Sequence, residues 1–334
     1  MKPLFMVYAK NVEVKYKLKK VISLLFILIL SICFLSSCKL KEDEKISVVA
    51  AYFSEYDWTK NIIGSVDSVN LTLLSDKGLD LHNYQASVED MVKISTCDLF
   101  IHVGGESDKW VDDALKNKSN ENMIILNLLS LLGERAKEEE TVEGMTHEEE
   151  DDDSEKEYDE HVWLSLKNAI FYVEEIKNAL IEVDPSHKRE YMENATSYSN
   201  KLSLLDERYS ELVSEKEKDT ILFGDRFPFR YLVDDYNIKY YAAFSGCSAE
   251  ANASFNTIIF LSNKVDELGL NVILILEKSD DSIARTIKDN TKNHNQQILI
   301  LDSLQSATKI EIDNGKSYYS IMEENLNVLR IALS

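Results

Sequence analysis

The sequence predicts an α/β protein of two lobes, each a largely parallel sheet flanked by helices, with one long helix joining them. Short apolar runs alternate with helix-period patterns through both halves of the chain, as expected of strand–helix–strand units whose sheets are covered on both faces. Between the halves no Gly or Pro occurs from residue 186 to 223, and Tyr191, Tyr198, Leu202, Leu205, Tyr209 and Leu212 recur at steps of three, four and seven. The 297 residues from Cys38 onward are enough for two cores of ordinary size.

The chain opens with a basic stretch carrying Lys10, Lys15, Lys17, Lys19 and Lys20, then an apolar segment at 21–35. That segment is shorter than the roughly 20 residues a spanning helix needs, so it reads as a secretory signal. Leu35-Ser36-Ser37-Cys38 resembles the lipobox of bacterial lipoproteins, in which the cysteine is lipidated and becomes the new first residue. Residues 1–37 are then the signal peptide, and Cys38 anchors the protein to the outer face of the cell membrane. The long stretch before Lys15 leaves Met6 as an alternative translation start.

Runs at 46–51, 71–74, 99–103 and 123–126 read as buried strands of a first lobe spanning 38–183. Helices are expected at 56–63, 88–95 and 110–116. A helix at 166–181, with Ile170, Val173, Ile176 and Leu180 on one stripe, closes the lobe. Asp184-Pro185 is a start signal, an N-cap side chain followed by a residue already fixed in helical φ. At about 1.5 Å per residue the rod it opens, within 184–218, is nearly 50 Å long, more than one lobe needs. Its apolar stripe would also suit a coiled-coil dimer seam, but only about three heptads are present; a monomer is expected. The second lobe, 219–334, repeats the alternation. Strands are expected at 220–223, 240–243, 272–276 and 298–301, and helices at 229–235, 255–268, 282–290 and 318–333.

The formal charge of −22 is unevenly spread: residues 134–160 hold 15 acidic and 3 basic side chains. A block of this kind cannot bury apolar area and is expected to be a solvated, mobile loop, or an antenna for cations ahead of His161. Overall acidity excludes nucleic acid as a partner, because phosphate binding needs a basic face. After Cys38 only Cys97 and Cys247 remain as thiols, too few for a disulfide framework.

Three residues follow or punctuate strand-like runs: His82 in Leu81-His82-Asn83-Tyr84, His161 in Glu160-His161-Val162-Trp163, and Glu277 after Ile275-Leu276. Two imidazoles and a carboxylate suit a borderline divalent metal such as zinc, and strand ends are where open α/β sheets place ligands. Each has a plainer role available: His82 on the surface, His161 paired with Asp159 or Glu160, Glu277 paired with Lys278. His102 is expected to pack near a cleft rim, and His187 and His294 to lie on the surface.

The lipobox, Leu81-His82-Asn83-Tyr84-Gln85-Ala86-Ser87, the Trp110 region, the acidic loop leading into His161-Val162-Trp163-Leu164, the rod, Glu277 and Asp302-Ser303-Leu304 occur in an informative order. Together they resemble the zinc and manganese solute-binding lipoproteins of bacterial ABC importers. The resemblance implies a metal held in the cleft between two lobes by His82, His161 and Glu277, little movement about a stiff helix, and delivery to a membrane permease. Family members commonly carry a third histidine after the first strand of the second lobe, where this chain reads Phe223-Gly224-Asp225-Arg226. Gly224 has no donor, so Asp225 is the favoured replacement, with Cys247 or water as alternatives.

Zinc is the expected cargo, with manganese as the rival because exchanging imidazole for carboxylate hardens the site. A metallohydrolase would need an open coordination position, but His-Glu-x-x-His, Gly-x-Ser-x-Gly and a phosphate-cradling loop are all missing from the sequence. An adhesion lipoprotein without transported cargo is a third reading, which predicts that His82 and His161 are dispensable.

Overall fold

Two four-stranded sheets, all of whose pairings are parallel, organise residues Ile46–Ser334. The computed structural model describes residues 45–116, 118–145, 157–248 and 252–334 together with Lys19 and Lys20; the apolar run 21–35, Cys38 and His147 lie outside them. In the first sheet, β1 (Ile46–Ala50), β2 (Val69–Leu73), β3 (Leu99–His102) and β4 (Ile124–Asn127) stand in the order β2-β1-β3-β4. In the second, β5 (Thr220–Phe227), β6 (Lys239–Ser245), β7 (Val272–Ile275) and β8 (Gln297–Ile300) stand in the order β6-β5-β7-β8. Each sheet therefore reverses its winding beside its first strand, which opens a crevice at the carboxyl ends of the strands.

All eight expected strands form. β5 differs most in extent: it continues to Phe227 through a register shift between Phe223 and Arg226, which takes Asp225 and Arg226 into the strand. Gly224 sits where a Cβ would come within 2.6 Å of Ala284 Cα, so the helix Ser282–Asp289 requires a glycine here.

The rod is the 28-residue helix Lys188–Glu215, about 42 Å long at ~1.5 Å per residue. A 3₁₀ turn, Pro185–His187, precedes it, and the Asp184 side chain does not cap it. That carboxylate instead gathers donors, including the Tyr191 hydroxyl at 2.8 Å and the Ser68 hydroxyl at 3.0 Å. Burial works against its charge, but these hydrogen bonds hold it down at about 2. Tyr191, Tyr198, Leu202, Leu205 and Tyr209 are buried against helices Phe53–Ile63, Leu166–Val183 and Tyr318–Ala332. The stripe that could have been a dimer seam is thus covered within the chain.

The C-terminal helix Tyr318–Ala332 reaches back to the first lobe: Tyr318 lies edge-on to Trp58, 5.1 Å between centroids, and its hydroxyl donates to the Trp163 carbonyl at 2.7 Å. Trp163 Nε1–H in turn donates to the Ser303 carbonyl of the second lobe at 2.9 Å. Cys97 and Cys247 are both free.

At the described ends of the acidic segment most acids are exposed, as its charge predicts, but the residues just before His161 are not. Glu138 bridges Tyr158 in antiparallel fashion, the Glu139 amide donates to the Glu157 carbonyl at 2.9 Å, and Asp159 and Glu160 are buried. The physical reason is local pairing: Asp159 accepts the His161 amide at 2.8 Å and Glu160 the Ser107 amide at 2.9 Å, while Glu140 faces Arg230 at 3.1 Å. Residues 146–156 lie outside the described part.

Candidate metal centre

His82 is presented by a single 3₁₀ turn, Leu81–Asn83, started by Asp80, whose Oδ1 accepts the His82 amide at 3.0 Å. Its Nδ1 pairs with the Ser107 hydroxyl at 2.7 Å, from the loop that follows β3. His161 is wholly buried, ahead of the turn Val162–Leu164. Asp159 Oδ1 fixes it twice, accepting the His161 amide at 2.8 Å and lying 3.0 Å from its Nδ1. The plainer role foreseen for His161, pairing with Asp159, therefore exists alongside a free second nitrogen. Holding one imidazole nitrogen with an outer carboxylate or hydroxyl is how ligating histidines are oriented.

The two rings stand 5.5 Å apart between centroids, and Trp163 packs edge-on against His161 at 5.3 Å. Nε2 of His82, Nε2 of His161 and Oε2 of Glu160 are buried without a hydrogen-bond partner. Such orphans are costly unless something completes them; Glu160 Oε2 lies 3.9 Å from His82 Nδ1, on the side away from the unpartnered nitrogen. Among the described residues, a donor atom from each of His82, His161 and Cys247 forms one group, all within 4.8 Å of one another.

Electrostatics prepare the pair unequally. His82 is pushed down to about 4, chiefly by burial and then by His161 beside it, so it stands neutral at ordinary pH. For His161 burial also opposes charge, but Asp159, Glu160 and Asp80 outweigh it, and its pKa is raised.

Glu277 and Asp225 are outside the group of three. Glu277 follows β7 and lines an interlobe cleft of about 220 Å³ with Asp80, Asn83 and Asp225. Its Oε2 accepts the Ser303 amide at 2.7 Å, and its Oε1 accepts the Ser303 and Ser306 hydroxyls at 2.8 and 3.0 Å. Burial, then Asp302, raises its pKa. The Asp225 oxygens accept backbone amides, Arg226 at 2.8 Å and Leu276 at 3.1 Å, which pins β5 to the end of β7. Gly224 faces Ala284, and Arg226 reaches Asp80 across the cleft at 2.7 Å. His102 is buried on Asp108 at 3.1 Å, and His187 rests half-buried on Asp184.

Residues 48–332 match the family model described as the periplasmic component A of the zinc-uptake complex. The chain belongs to this family. It is 29% identical over 311 residues to the zinc-binding lipoprotein AdcA of Streptococcus pneumoniae serotype 4, covering 91% of this chain and 60% of AdcA. It thus spans about 60% of the length of that longer relative. With the high-affinity zinc uptake system protein ZnuA of Bacillus subtilis it shares 28% identity over 314 residues, covering 92% of this chain and 94% of ZnuA. The Zn(II)-bound ZnuA-like domain of S. pneumoniae AdcA superposes with a TM-score of 0.68 at 27% identity, covering 86% of this chain and 99% of that domain. The metal-dependent lipoprotein YcdH of B. subtilis does so with a TM-score of 0.71 at 25% identity, covering 87% of this chain and all of YcdH. Family membership agrees with the two-lobe resemblance read from the sequence.

The supporting residues Ser107 and Arg226 carried no sequence signal, because one reaches the His82 turn from the loop after β3 and the other from β5 of the second lobe. Asp80 and Asp159 did carry one, each as an acid two residues before a histidine whose amide it accepts.

Proposed function

We propose that this protein captures a divalent transition metal, zinc foremost, at the outer face of the cell membrane and delivers it to the membrane permease of an ABC importer. One observation carries the reading: the buried imidazole of His161 and the half-buried one of His82 meet edge-on, each with Nδ1 engaged and Nε2 free of any partner. His82 and His161 bind the metal through these nitrogens. Glu277 is the second-lobe carboxylate that turns toward the cargo when the lobes tighten, and Asp225 supports the strand end behind it. Imidazole-rich coordination favours zinc over the harder manganese. Capture without catalysis follows, since the donors are arranged to close around an ion. A lipid on Cys38 tethers a monomer to the membrane, so that cargo is loaded close to the permease.

The test is calorimetric titration of the metal-free chain, starting at Cys38, with zinc and with manganese. Wild type should bind zinc in preference to manganese. His82→Ala and His161→Ala should each weaken zinc binding by at least about a hundredfold. Unchanged affinity in both variants would overturn the reading.

A further inference from the structure

Cys247 lies in the turn that follows β6, brought to the histidines by the second lobe. Two contacts fix it there. Its amide donates to Glu139 Oε1 at 2.9 Å, and its neighbour Gly246 lets the backbone run so close to the His161 ring that a Cβ would stand 3.1 Å from Cε1. The turn is thereby clamped between the end of the acidic segment and the buried histidine, with a sulfur inside the group of three donor atoms.

We propose that Cys247 binds the metal as a thiolate beside His82 and His161, and that this sulfur is what discriminates zinc from manganese. The inference rests on the metal-capture reading and deepens it. Two independent features point to a ligand rather than a packed thiol: the unpartnered Nε2 atoms of the buried His161 and of His82, and the convergence of these rings with Cys247. On coordination the S–H bond breaks, the proton leaves to solvent, and a sulfur–metal bond forms with no change of oxidation state. Two imidazoles and a thiolate are borderline-to-soft donors, which suit zinc; manganese prefers carboxylate and water oxygens. Joining donors from both lobes, the thiolate also gives the cargo a contact that drawing the lobes apart would break. A carboxylate in the same place would leave the site hard enough for manganese.

Cobalt(II) reports the chemistry directly, because a bound thiolate gives a charge-transfer band in the near ultraviolet while tetrahedral nitrogen ligation gives visible bands without it. The probe is cobalt chloride added to the metal-free mature chain, with Cys247→Ser and Cys97→Ser alongside. Wild type and Cys97→Ser should show both sets of bands, and Cys247→Ser should keep the visible bands while losing the charge-transfer band. The ratio of zinc to manganese affinity should fall at least about tenfold in Cys247→Ser. Visible bands without a charge-transfer band in wild type, or an unaltered zinc-to-manganese ratio in Cys247→Ser, would overturn the role of Cys247 and leave the histidine site standing. Absence of all cobalt bands from wild type would instead remove the capture reading, and this inference with it.

Discussion

Arg226 Nη2 stands 2.7 Å from Asp80 Oδ2, while the other oxygen of Asp80 accepts the backbone amide of His82. One carboxylate thus ties the turn that presents a first-lobe histidine to strand β5 of the second lobe. Burial works against the Asp80 charge, but Arg226 and then His82 hold its pKa below the usual carboxylate range.

Removing that tie should loosen His82 without unfolding either sheet. Both partners are partly exposed, so their coupling falls between that of a surface pair and that of a fully buried one, about 1–2 kcal/mol. A double-mutant cycle of Arg226→Ala and Asp80→Asn, read by urea denaturation, should return a coupling of this size. Faster amide exchange in the His82 turn should accompany Arg226→Ala; additive single-mutant effects with unaltered exchange would contradict the link.

Asp159 should matter for affinity although its place is behind His161. It holds both the amide and the Nδ1 of His161, and loss of such an orienting partner weakens metal sites about 10- to 100-fold. Asp159→Ala, titrated with zinc, should therefore fall short of the loss expected for His161→Ala. A variant that binds as tightly as wild type would show that Asp159 does not orient the ring.

Glu55 supplies a pH dependence unrelated to the metal. Its side chain is fully buried, neither oxygen has a partner, and burial, with Asp108 adding, raises its pKa from 4.5 to about 8. Folding consequently takes up a proton between those values. The stability this group contributes is whole below pH 4.5 and is lost as the pH climbs through about 8. Glu55→Gln should be more stable than wild type above pH 8 by on the order of 5 kcal/mol, with the difference shrinking toward pH 5. Parallel stability–pH curves for the two proteins would rule this out.

Gly224 is set by packing, so a side chain cannot be restored there. Gly224→Ala puts a methyl 2.6 Å from Ala284 Cα and should cost about 1–3 kcal/mol in thermal or urea unfolding, with zinc affinity little changed. A neutral effect on stability would mean that helix Ser282–Asp289 yields to the methyl group.

Zinc itself should stabilise the fold. With free metal at about 1,000 times the dissociation constant, unfolding should need about 4 kcal/mol more, and a chelator should return the melting curve to its metal-free position. An unmoved curve would count against binding to the native state.

The strands were legible because parallel sheets covered on both faces demand continuous apolar runs such as Val48-Val49-Ala50 and Ile273-Leu274-Ile275, which few other structures tolerate. The long helix was legible from its Tyr and Leu spacing, and His82 and His161 from their place beside apolar runs. The short helices Leu128–Leu132 and Lys309–Asp313 were not, since one or two turns carry too little periodicity. Within the acidic segment, Asp159 and Glu160 were not legible as buried, because charge density describes average solvation and each of the two accepts a particular backbone amide.

By itself the sequence determined the alternation of elements and the two lobes, which depend on local composition and period, and it singled out the two histidines that the fold brings together. Only the tertiary structure decided that Arg226 bridges to Asp80, that Asp225 serves the backbone, and that Cys247 arrives beside two imidazoles more than eighty positions away in sequence. Such convergence is settled by how loops from separate strands pack at the mouths of two sheets. Packing depends on the whole set of buried contacts, which no stretch of neighbouring residues contains.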